Sequence, residues 1–357
     1  MKILAINPGS TSTKISLYTN LNEDFTVNIA HLTEEISKFK KIADQYEFRK
    51  EEILKVLINH NVDLSLIDVF VGRGGLVKPI KSGVYPVNEA LLRDLKTPVL
   101  GEHASNLGGI LAFELAKNSG NKPSYIADPV VVDEMCDLAR ISGLPEISRR
   151  SIFHALNQKA IARRYAREVG KKYEELNLII AHLGGGTTVG THEKGNVIDV
   201  NDGLIGEGPF TPERAGSLPG LQLLETFIND KKCDIEAMKK RMTGQGGLVA
   251  YLGTNNAKAI EEKIEAGNAE YESFIFEAMA YQTAKCIGEM ATVLKGEVDA
   301  IILTGGVAYS EFISKIIKER VGFIAPVIRM PGENEMQSLV ENAYYATIGE
   351  YSTKEYI

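Results

Sequence analysis

Two short segments rich in glycine, serine and threonine have the composition of phosphate-binding loops. The first is Asn7–Lys14 (NPGSTSTK) and the second is His182–Thr188 (HLGGGTT). Small residues leave backbone N–H groups accessible, and hydroxyls and a lysine suit phosphate oxygen atoms. The first segment is not a Walker P-loop, since the pattern GxxxxGKS or GxxxxGKT is absent and the segment joins two strands rather than entering a helix. An ordinary hairpin turn is the alternative for each segment alone, and the recurrence of the pattern favours phosphate binding.

A third glycine-rich turn lies near the C-terminus. Leu303–Val307 (LTGGV) follows the apolar run Val298–Leu303 and precedes a helical pattern of apolar residues. A turn of this kind, from a strand through two glycines into a helix, can seat an adenosine close to the backbone. The alternative is an ordinary connection between a strand and a helix.

The elements that would carry these loops follow the same order twice. Apolar runs at Lys2–Ile6, Lys14–Tyr18 and Phe25–His31 indicate three short strands, the last with the alternation of a half-buried antiparallel strand. The corresponding runs of the second set are Leu178–Leu183, Val189–His192 and Asn196–Val200. The repetition predicts two similar α/β halves that face each other across a cleft, so that one loop from each half meets one nucleotide.

Helical patterns follow each set of strands. Apolar residues recur at helical spacing in His154–Tyr173, Tyr271–Leu294 and Met336–Thr347. No linker rich in proline or serine separates the halves, so the boundary is expected at a crossing helix or hinge. The predicted domains are residues 1–155 with 338–357, closed by the C-terminal helix, and residues 156–337.

Length, composition and charge limit the possible classes of protein. A chain of 357 residues exceeds the size of most single cores, which favours two domains. Hydrophobic residues make up 44% and charged residues 24%, as in ordinary globular proteins. No apolar run approaches the ~20 residues that a bilayer span needs. The net charge of −7, without a basic block, argues against a nucleic-acid partner.

The cysteines and the N-terminus indicate the compartment. Cys136, Cys233 and Cys286 include no CxxC pair, which argues against both a metal framework and a secreted disulfide scaffold. The opening MKILAINPGS has the pattern of a core strand rather than of a signal segment. We therefore expect a cytoplasmic protein with no membrane partner.

Nine segments make the sequence resemble the acetokinase family, within the acetate and sugar kinase, Hsc70 and actin superfamily. They are NPGSTSTK (7–14), VGRGG (71–75), GEHASNLGG (101–109), ADPVVVDE (127–134), RRSIFHALNQKA (149–160), HLGGGTTV (182–189), FTPERAGSLP (210–219), LTGGVA (303–308) and PGENEM (331–336). The sequences of these segments are most similar to those of the butyrate and branched-chain fatty acid kinases. The resemblance implies an α/β fold with two ribonuclease-H-like, actin-like ATPase domains that flank a nucleotide cleft, the first binding the acid and the second the nucleotide.

The resemblance also implies ATP or ADP and Mg²⁺ as cofactors, together with the residues that bind them. The nucleotide residues are Asn7, Ser10, Ser12, Lys14, His182, Gly184, Gly185, Gly186, Gly305 and Gly306, and the metal-associated residues are Asn7, Asp128 and Glu335. The segment PGENEM offers two acidic residues, Glu333 and Glu335, and we choose Glu335.

Four positions match the catalytic residues of the family: Arg73, His154, Arg214 and again Asp128. We expect Arg73 to hold the substrate carboxylate and Arg214 to neutralise charge on the transferred phosphoryl group, because the guanidinium fork binds such oxygen atoms in pairs. His154 is expected to donate to the phosphoryl group, and His103 and Asn106 to shape the acid pocket. The structural alternatives are a solvated arginine, a turn aspartate before Pro129 and a histidine that is hydrogen-bonded in the core or caps a helix.

These expectations combine into an ATP-dependent carboxylate kinase that forms an acyl phosphate of butyrate or of a branched short-chain acid. Acetate or propionate as the acid, and a non-metabolic actin-like or Hsc70-like ATPase, are the alternatives. A dinucleotide oxidoreductase is disfavoured, because GxGxxG after a strand is missing. The resemblance further implies a homo-oligomer built on a dimer.

Overall fold

Strand β1 (Lys2–Pro8) is almost entirely buried and lies at the centre of the N-terminal sheet. It pairs antiparallel with β2 (Ser12–Thr19) and parallel with β4 (Val69–Arg73). The sheet has six strands in the order β3-β2-β1-β4-β6-β5, completed by β3 (Asn22–Ala30), β5 (Val84–Pro86) and β6 (Ser124–Ala127). The computed structural model describes residues 1–97, 99–230 and 234–357.

Helices cover this sheet to form one unit, Met1–Val132 with Asn334–Ile357. They are α1 (Thr33–Ile36), α2 (Tyr46–Asn59), α3 (Glu89–Lys96), α4 (Asn106–Asn118) and α13 (Glu335–Thr347). Apolar residues of α2 and α4 pack on the buried face of β1 and β2 in a single core. The C-terminal helix α13 contacts β1, β4 and β6, so the end of the chain returns to the N-terminal sheet.

The second unit, Asp133–Glu333, is built on a sheet of five strands in the order β11-β10-β7-β8-β9. Its strands are β7 (Asn177–Leu183), β8 (Thr187–Glu193), β9 (Asn196–Val200), β10 (Ala300–Thr304) and β11 (Val327–Arg329). Its helices are α5 (Asp137–Arg140), α6 (Ala155–Glu168), α7 (Gly220–Asn229), α8 (Ile235–Thr243), α9 (Gly247–Leu252), α10 (Ala257–Glu265), α11 (Glu270–Val293) and α12 (Glu311–Val321). The largest core of this unit lies between the sheet and α11.

Five strands of the first sheet have the same order and directions as the five strands of the second, which confirms the repeated α/β pattern; β5, antiparallel to β6, is an additional edge strand of the first sheet. In the first, β3, β2 and β1 form an antiparallel meander, and β4 and β6 continue it in parallel. In the second, β9, β8 and β7 form the meander, and β10 and β11 continue it in parallel. The cleft between the halves and the boundaries at 155/156 and 337/338 stay predictions.

The three predicted helices are present, with one early end. The α-helix expected to extend through Tyr173 ends at Glu168. Gly170 then adopts a φ of +68°, a left-handed conformation that glycine accepts at helix ends. Of the cysteines, Cys136 is exposed and Cys286 is buried, both as free thiols, and Cys233 lies outside the described residues. Among the helices that the structure describes, none is long and apolar enough to cross a membrane.

Candidate active site

Three predicted site residues lie at one edge of the N-terminal sheet because parallel strands end together. Ile6 of β1 pairs with Gly72 of β4, and Arg73 of β4 pairs with Ala127 of β6. Asn7, Arg73 and Asp128 therefore occupy the carboxyl ends of neighbouring strands. This is the edge at which α/β sheets bind their ligands.

Glu335 in the first turn of α13 joins two of these residues. Its Oε1 lies 3.0 Å from Nη1 of Arg73, and its Oε2 accepts a hydrogen bond of 2.5 Å from Nδ2 of Asn7. Nη1 of Arg73 also donates to Oδ1 of Asn7 over 3.4 Å. Glu333, by contrast, is exposed, and its backbone carbonyl accepts from Asn157 at 2.8 Å. The structure thus brings the Glu335 side chain to the arginine.

The Asp128 carboxylate is buried and stabilises a turn of the backbone through hydrogen bonds. It is 1% exposed, and its Oδ1 accepts from the Ser82 hydroxyl at 2.6 Å and from the Gly83 amide at 2.8 Å. Its φ is +37°, an uncommon value for a residue other than glycine, which is often found where surroundings hold a functional group in place. At least one carboxylate oxygen therefore holds the turn before β5.

The oxygen atoms at this edge have the chemistry that Mg²⁺ prefers. Carboxylate and amide oxygens are hard ligands, and Mg²⁺ commonly takes only one or two carboxylates, with water and substrate phosphates completing its shell. The described residues contain no cluster of three or more His, Cys, Asp or Glu that would hold a metal without such help. Asn7, Asp128 and Glu335 fit a magnesium ion that arrives with a nucleotide.

The loop that follows Arg73, residues 74–76, is packed tightly against the start of α4. Oδ1 of Asn106 accepts from the Leu76 amide at 2.8 Å, and a Cβ added to Gly75 would collide with Asn106. A Cβ on Gly74 would lie 2.5 Å from Cβ of Pro129. Asn106, which we expected in the acid pocket, is 4% exposed and fixes the arginine loop.

His103 is neutral, and its tautomer follows from its partners. The Ser105 amide, which can only donate, lies 3.2 Å from Nδ1, so Nδ1 carries no hydrogen and the proton is on Nε2. Burial, and then the charge of Arg73, lower the pKa of His103. An N–H donor is thus held in the electrostatic field of Arg73.

The first phosphate-loop candidate, between β1 and β2, is held from below by a buried arginine. Arg49 of α2 is 1% exposed and donates to the carbonyl oxygens of Gly9 (2.8 Å), Ser12 (2.9 Å) and Ser10 (3.1 Å). It also donates to the Thr13 hydroxyl at 3.1 Å. Three carbonyl oxygens that would otherwise repel a phosphate thereby accept hydrogen bonds from Arg49.

No carboxylate of the described residues forms an ion pair with Arg49. Its remaining acceptor in the described part of the chain is the amide oxygen of Gln45, at 2.8 and 3.1 Å. Burial lowers the pKa of Arg49 to about 10, so it is still charged at neutral pH. Lys14 on β2 is exposed and pairs with Asn7 across the hairpin, so the two side chains share one face. Positive charge therefore lies on and beneath this loop.

The second phosphate-loop candidate, between β7 and β8, lies against Arg214. A Cβ added to Gly186 would collide with the Arg214 guanidinium, and the Thr211 hydroxyl donates to the Gly185 carbonyl at 2.5 Å. The Thr211 oxygen also accepts from the Arg214 amide at 3.0 Å. The segment FTPERAG thus holds its arginine directly on the glycine loop.

The Arg214 guanidinium is only partly satisfied. Its Nη1 donates to the Gly203 carbonyl, while its buried Nε has no hydrogen-bond partner among the described residues. Burial lowers the pKa of Arg214, against the raising effect of Glu213 and Asp202. A buried donor without an acceptor is costly unless a ligand supplies one. Its position on a glycine loop favours an anion as that ligand.

Two predicted histidines lie face to face in the same unit. The rings of His154 and His182 are 3.8 Å apart and inclined by 9°. Nδ1 of His154 is 2.9 Å from the Thr188 hydroxyl. Nδ1 of His182 is 2.8 Å from Oδ1 of Asn157, whose amide nitrogen donates to the Glu333 carbonyl. Because that carbonyl can only accept, Asn157 presents its oxygen to His182, and His182 carries its hydrogen on Nδ1.

The third glycine turn meets the second loop. Gly305 has a φ of +86°, and a Cβ there would collide with the backbone of Leu183. Thr304 pairs with His182, so β7 and β10 end side by side. A Cβ on Gly306 would meet no atom within 4 Å, so that side of the turn is open. The proposed adenosine turn and phosphate loop are therefore neighbours.

Sequence reasoning missed two supporting residues, Arg49 and Asn157. Arg49 carried a usable signal, since it occupies the buried helix stripe that continues with Ile53 and Leu57 at intervals of four. A charged residue on an apolar stripe is expected to have internal partners. Asn157 lies three residues after His154 on α6, but its contact with His182 depends on the strand packing.

Comparison with known proteins identifies the family of the chain and solved structures with a similar fold. A model of the acetokinase family matches residues 145–326. Butyrate kinase 1 of Clostridium acetobutylicum is 54% identical over 355 residues, covering 99% of this chain and 99% of that protein.

Solved structures with a similar fold include two short-chain acid kinases. An acetate kinase from Porphyromonas gingivalis has a TM-score of 0.78 and 19% identity, covering 96% of this chain and 98% of that chain. A propionate kinase from Francisella tularensis subsp. tularensis has a TM-score of 0.72 and 16% identity, with the same coverage. At these identities the likeness concerns the fold, which agrees with the actin-like architecture expected from the sequence.

Proposed function

Since the chain belongs to the acetokinase family, we propose that it is a butyrate kinase, acting on butyrate or a branched short-chain acid. As a member of that family it is an ATP-dependent kinase of short-chain carboxylates. The observation that carries the choice of acid is the 54% identity to Butyrate kinase 1 along essentially the whole of both chains. The proposed reaction transfers the γ-phosphoryl group of ATP to a carboxylate oxygen, reversibly, and yields an acyl phosphate and ADP.

The reaction needs no general base on the acid. A short fatty acid has a pKa of about 4, like Asp and Glu, so its carboxylate is already ionised at neutral pH. Catalysis then consists of aligning two anions and neutralising charge on the phosphoryl group in flight. Arginine forks and N–H donors are the groups suited to this work.

The N-terminal unit supplies groups for the acid and the metal. Arg73 is proposed to hold the substrate carboxylate, and His103 lends an N–H donor on Nε2 within its field. The ion pair between Arg73 and Glu335 keeps the Arg73 guanidinium oriented before substrate arrives. Asn7, Asp128 and Glu335 would hold Mg²⁺, which when bound neutralises charge on the phosphate oxygens.

The second unit supplies groups for the phosphoryl group. Arg214 is proposed to neutralise its developing charge, which the partnerless Nε on the glycine loop supports. His154 is proposed to donate a hydrogen bond to it, with His182 stacked behind. Gly305 and Gly306 are proposed to seat the adenosine. ATP as co-substrate leads us to propose a cytoplasmic location. Membership of the family leads us to propose a homo-oligomer built on a dimer, which light scattering would test.

The choice of acid can be measured directly. Purified protein is incubated with ATP, Mg²⁺ and hydroxylamine, which traps acyl phosphates as hydroxamates, across acids from acetate to valerate and isobutyrate. We expect hydroxamate formation to peak at four-carbon acids. Each methylene is worth about 1–3 kcal/mol of discrimination, so the peak should be distinct. A maximum at acetate or propionate would contradict the proposed acid, and no hydroxamate with any acid would contradict the kinase.

A further inference from the structure

A continuous chain of hydrogen bonds runs through the interior of the second unit to His154. The Tyr173 hydroxyl lies 2.7 Å from Nδ1 of His192, and Nε2 of His192 lies 2.9 Å from Oε1 of Gln158. Nε2 of Gln158 lies 2.9 Å from the Thr188 hydroxyl, which is 2.9 Å from Nδ1 of His154. Gln158, Thr188 and His192 are all 0% exposed, so water does not compete for these bonds.

The chemistry of its members orients the amide of Gln158. Its Nε2 is also 3.1 Å from the Thr188 carbonyl, which can only accept. The NH₂ group therefore faces Thr188, and Oε1 faces His192. Since Oε1 can only accept, Nε2 of His192 carries the hydrogen. Burial and the charge of Lys159 lower the pKa of His192 well below its ordinary value, so the ring is neutral and its Nδ1 accepts from Tyr173.

The same logic extends to His154. The Thr188 oxygen already receives a hydrogen bond from Gln158, and its own hydrogen needs an acceptor in a buried place. In the described part of the chain that acceptor is Nδ1 of His154. Were Nδ1 protonated instead, the buried Thr188 hydrogen would be unmet, which is unfavourable. Each member of the chain thus donates to the next, from Tyr173 towards His154.

We propose that Gln158 is a positioning residue that, through Thr188, holds His154 in the tautomer with its hydrogen on Nε2. This inference rests on the proposed function, in which His154 donates to the phosphoryl group, and it explains which nitrogen donates. The neighbouring His182 is held by Asn157 in the opposite tautomer, with its hydrogen on Nδ1. The stacked pair is therefore not interchangeable, and only His154 offers a preset Nε2–H.

A glycine supports this assignment. A Cβ at Gly190 of β8 would collide with Oε1 of Gln158. The strand therefore lacks a side chain at the point where the glutamine amide passes between Thr188 and His192. Glycine is unfavourable in the interior of a β-strand, and its presence there often marks a position that another group approaches closely.

The tautomer is directly observable. We would label the histidines with ¹⁵N and assign the His154 signals by their loss in His154→Gln. The expected spectrum shows a bare Nδ1 and a protonated Nε2 for His154. A hydrogen on Nδ1 of His154 in the wild-type protein would overturn the proposal. This readout does not require turnover, so it stands apart from the kinase assay, whose failure would contradict the proposed function instead.

Two variants connect the tautomer to the reaction. In Gln158→Met and in Thr188→Val we expect a mixture of His154 tautomers, a roughly tenfold lower kcat, and KM values for ATP and butyrate within about twofold of wild type. Thr188→Ser keeps the hydroxyl and should restore both readouts, and Gln222→Met, exposed on α7, serves as the matched control. An unchanged His154 signature in both Gln158→Met and Thr188→Val would overturn the positioning role even if kcat fell.

Discussion

The carboxylate of Glu335 lies 3.0 Å from the guanidinium of Arg73, although 262 positions separate them in the chain (335 − 73). The contact joins the first turn of the C-terminal helix to the end of β4. The helix thereby delivers an acidic residue to the strand edge that carries Asn7 and Arg73. Glu335 contacts both residues at this edge and Glu333 is exposed, so we expect different roles for the two glutamates.

We predict that Glu335→Gln lowers kcat/KM roughly 100-fold and raises the Mg²⁺ concentration needed for half-maximal rate. The change removes a negative charge from both the arginine and the proposed metal. Initial rates against Mg²⁺ concentration measure the effect. The matched control is Glu333→Gln, which should stay near wild type. Equal losses in the two variants would contradict the assignment of Glu335.

Gly186→Ala tests the contact between Arg214 and the second loop. The added methyl occupies the place of the guanidinium, so we predict a loss of kcat of roughly 100-fold with the fold retained. Steady-state kinetics beside a thermal melt measure both. In Gly288→Ala, in the middle of α11, the new Cβ meets no atom within 4 Å, and this control should keep full activity. An active Gly186→Ala enzyme would show that the Arg214 position is dispensable.

Arg49→Met is predicted to raise the KM for ATP roughly tenfold and to destabilise the protein by about 2–4 kcal/mol. It removes a buried charge and leaves loop carbonyls without donors. The distinguishing readout is the rise in Tm on adding ATP, which should shrink, because the loop would hold phosphate less well. Lys55→Met, an exposed change on the same helix, should match wild type. An unaltered ATP-dependent rise would assign Arg49 to stability alone.

Stability should fall as pH decreases from 8 to 5.5, because three histidines are held neutral. Burial is the first cause of the lowered pKa values of His31, His103 and His192. The unfolded chain takes up these protons near its ordinary pKa of about 6.5, while the native state resists. Their contribution is therefore fully present above about pH 6.5 and is lost as pH falls through the lowered native values.

The unfolding midpoint in urea at the two pH values measures this loss. His31→Gln should show a smaller loss than wild type, since it removes one group that protonates on unfolding. His60→Gln, at an exposed position, should lose as much as wild type. A wild-type midpoint that does not change between the two pH values would contradict the prediction.

The repeated fold was predictable because it is encoded locally. Short apolar runs, one of them alternating, separated by polar or glycine-rich turns, are enough to place β1 to β3 and β7 to β9. Those turns in turn place Asn7 and His182 at strand ends. Family resemblance supplied the catalytic candidates that local pattern does not indicate.

The supporting contacts were not predictable, because they join distant segments. Arg49 donates to the backbone carbonyl groups of Gly9, Ser10 and Ser12, and Gln158 contacts His192. Neither backbone carbonyls nor buried amides leave a mark in a single sequence. The choice between Glu333 and Glu335 likewise depends on how α13 begins, at Asn334 in a left-handed conformation. Asp128 has a left-handed φ, which could not be predicted from its residue type.

In the proposed reaction the chain couples ATP to the formation of an acyl phosphate. Phosphorus NMR of the purified protein with ATP, Mg²⁺ and butyrate tests it most directly, with Arg214→Ala beside the wild type. We predict one acyl phosphate for each ADP formed, no reaction without butyrate, and at least a 100-fold slower reaction in the variant. ADP and inorganic phosphate appearing at the same rate with and without butyrate would contradict the account and identify an ATPase.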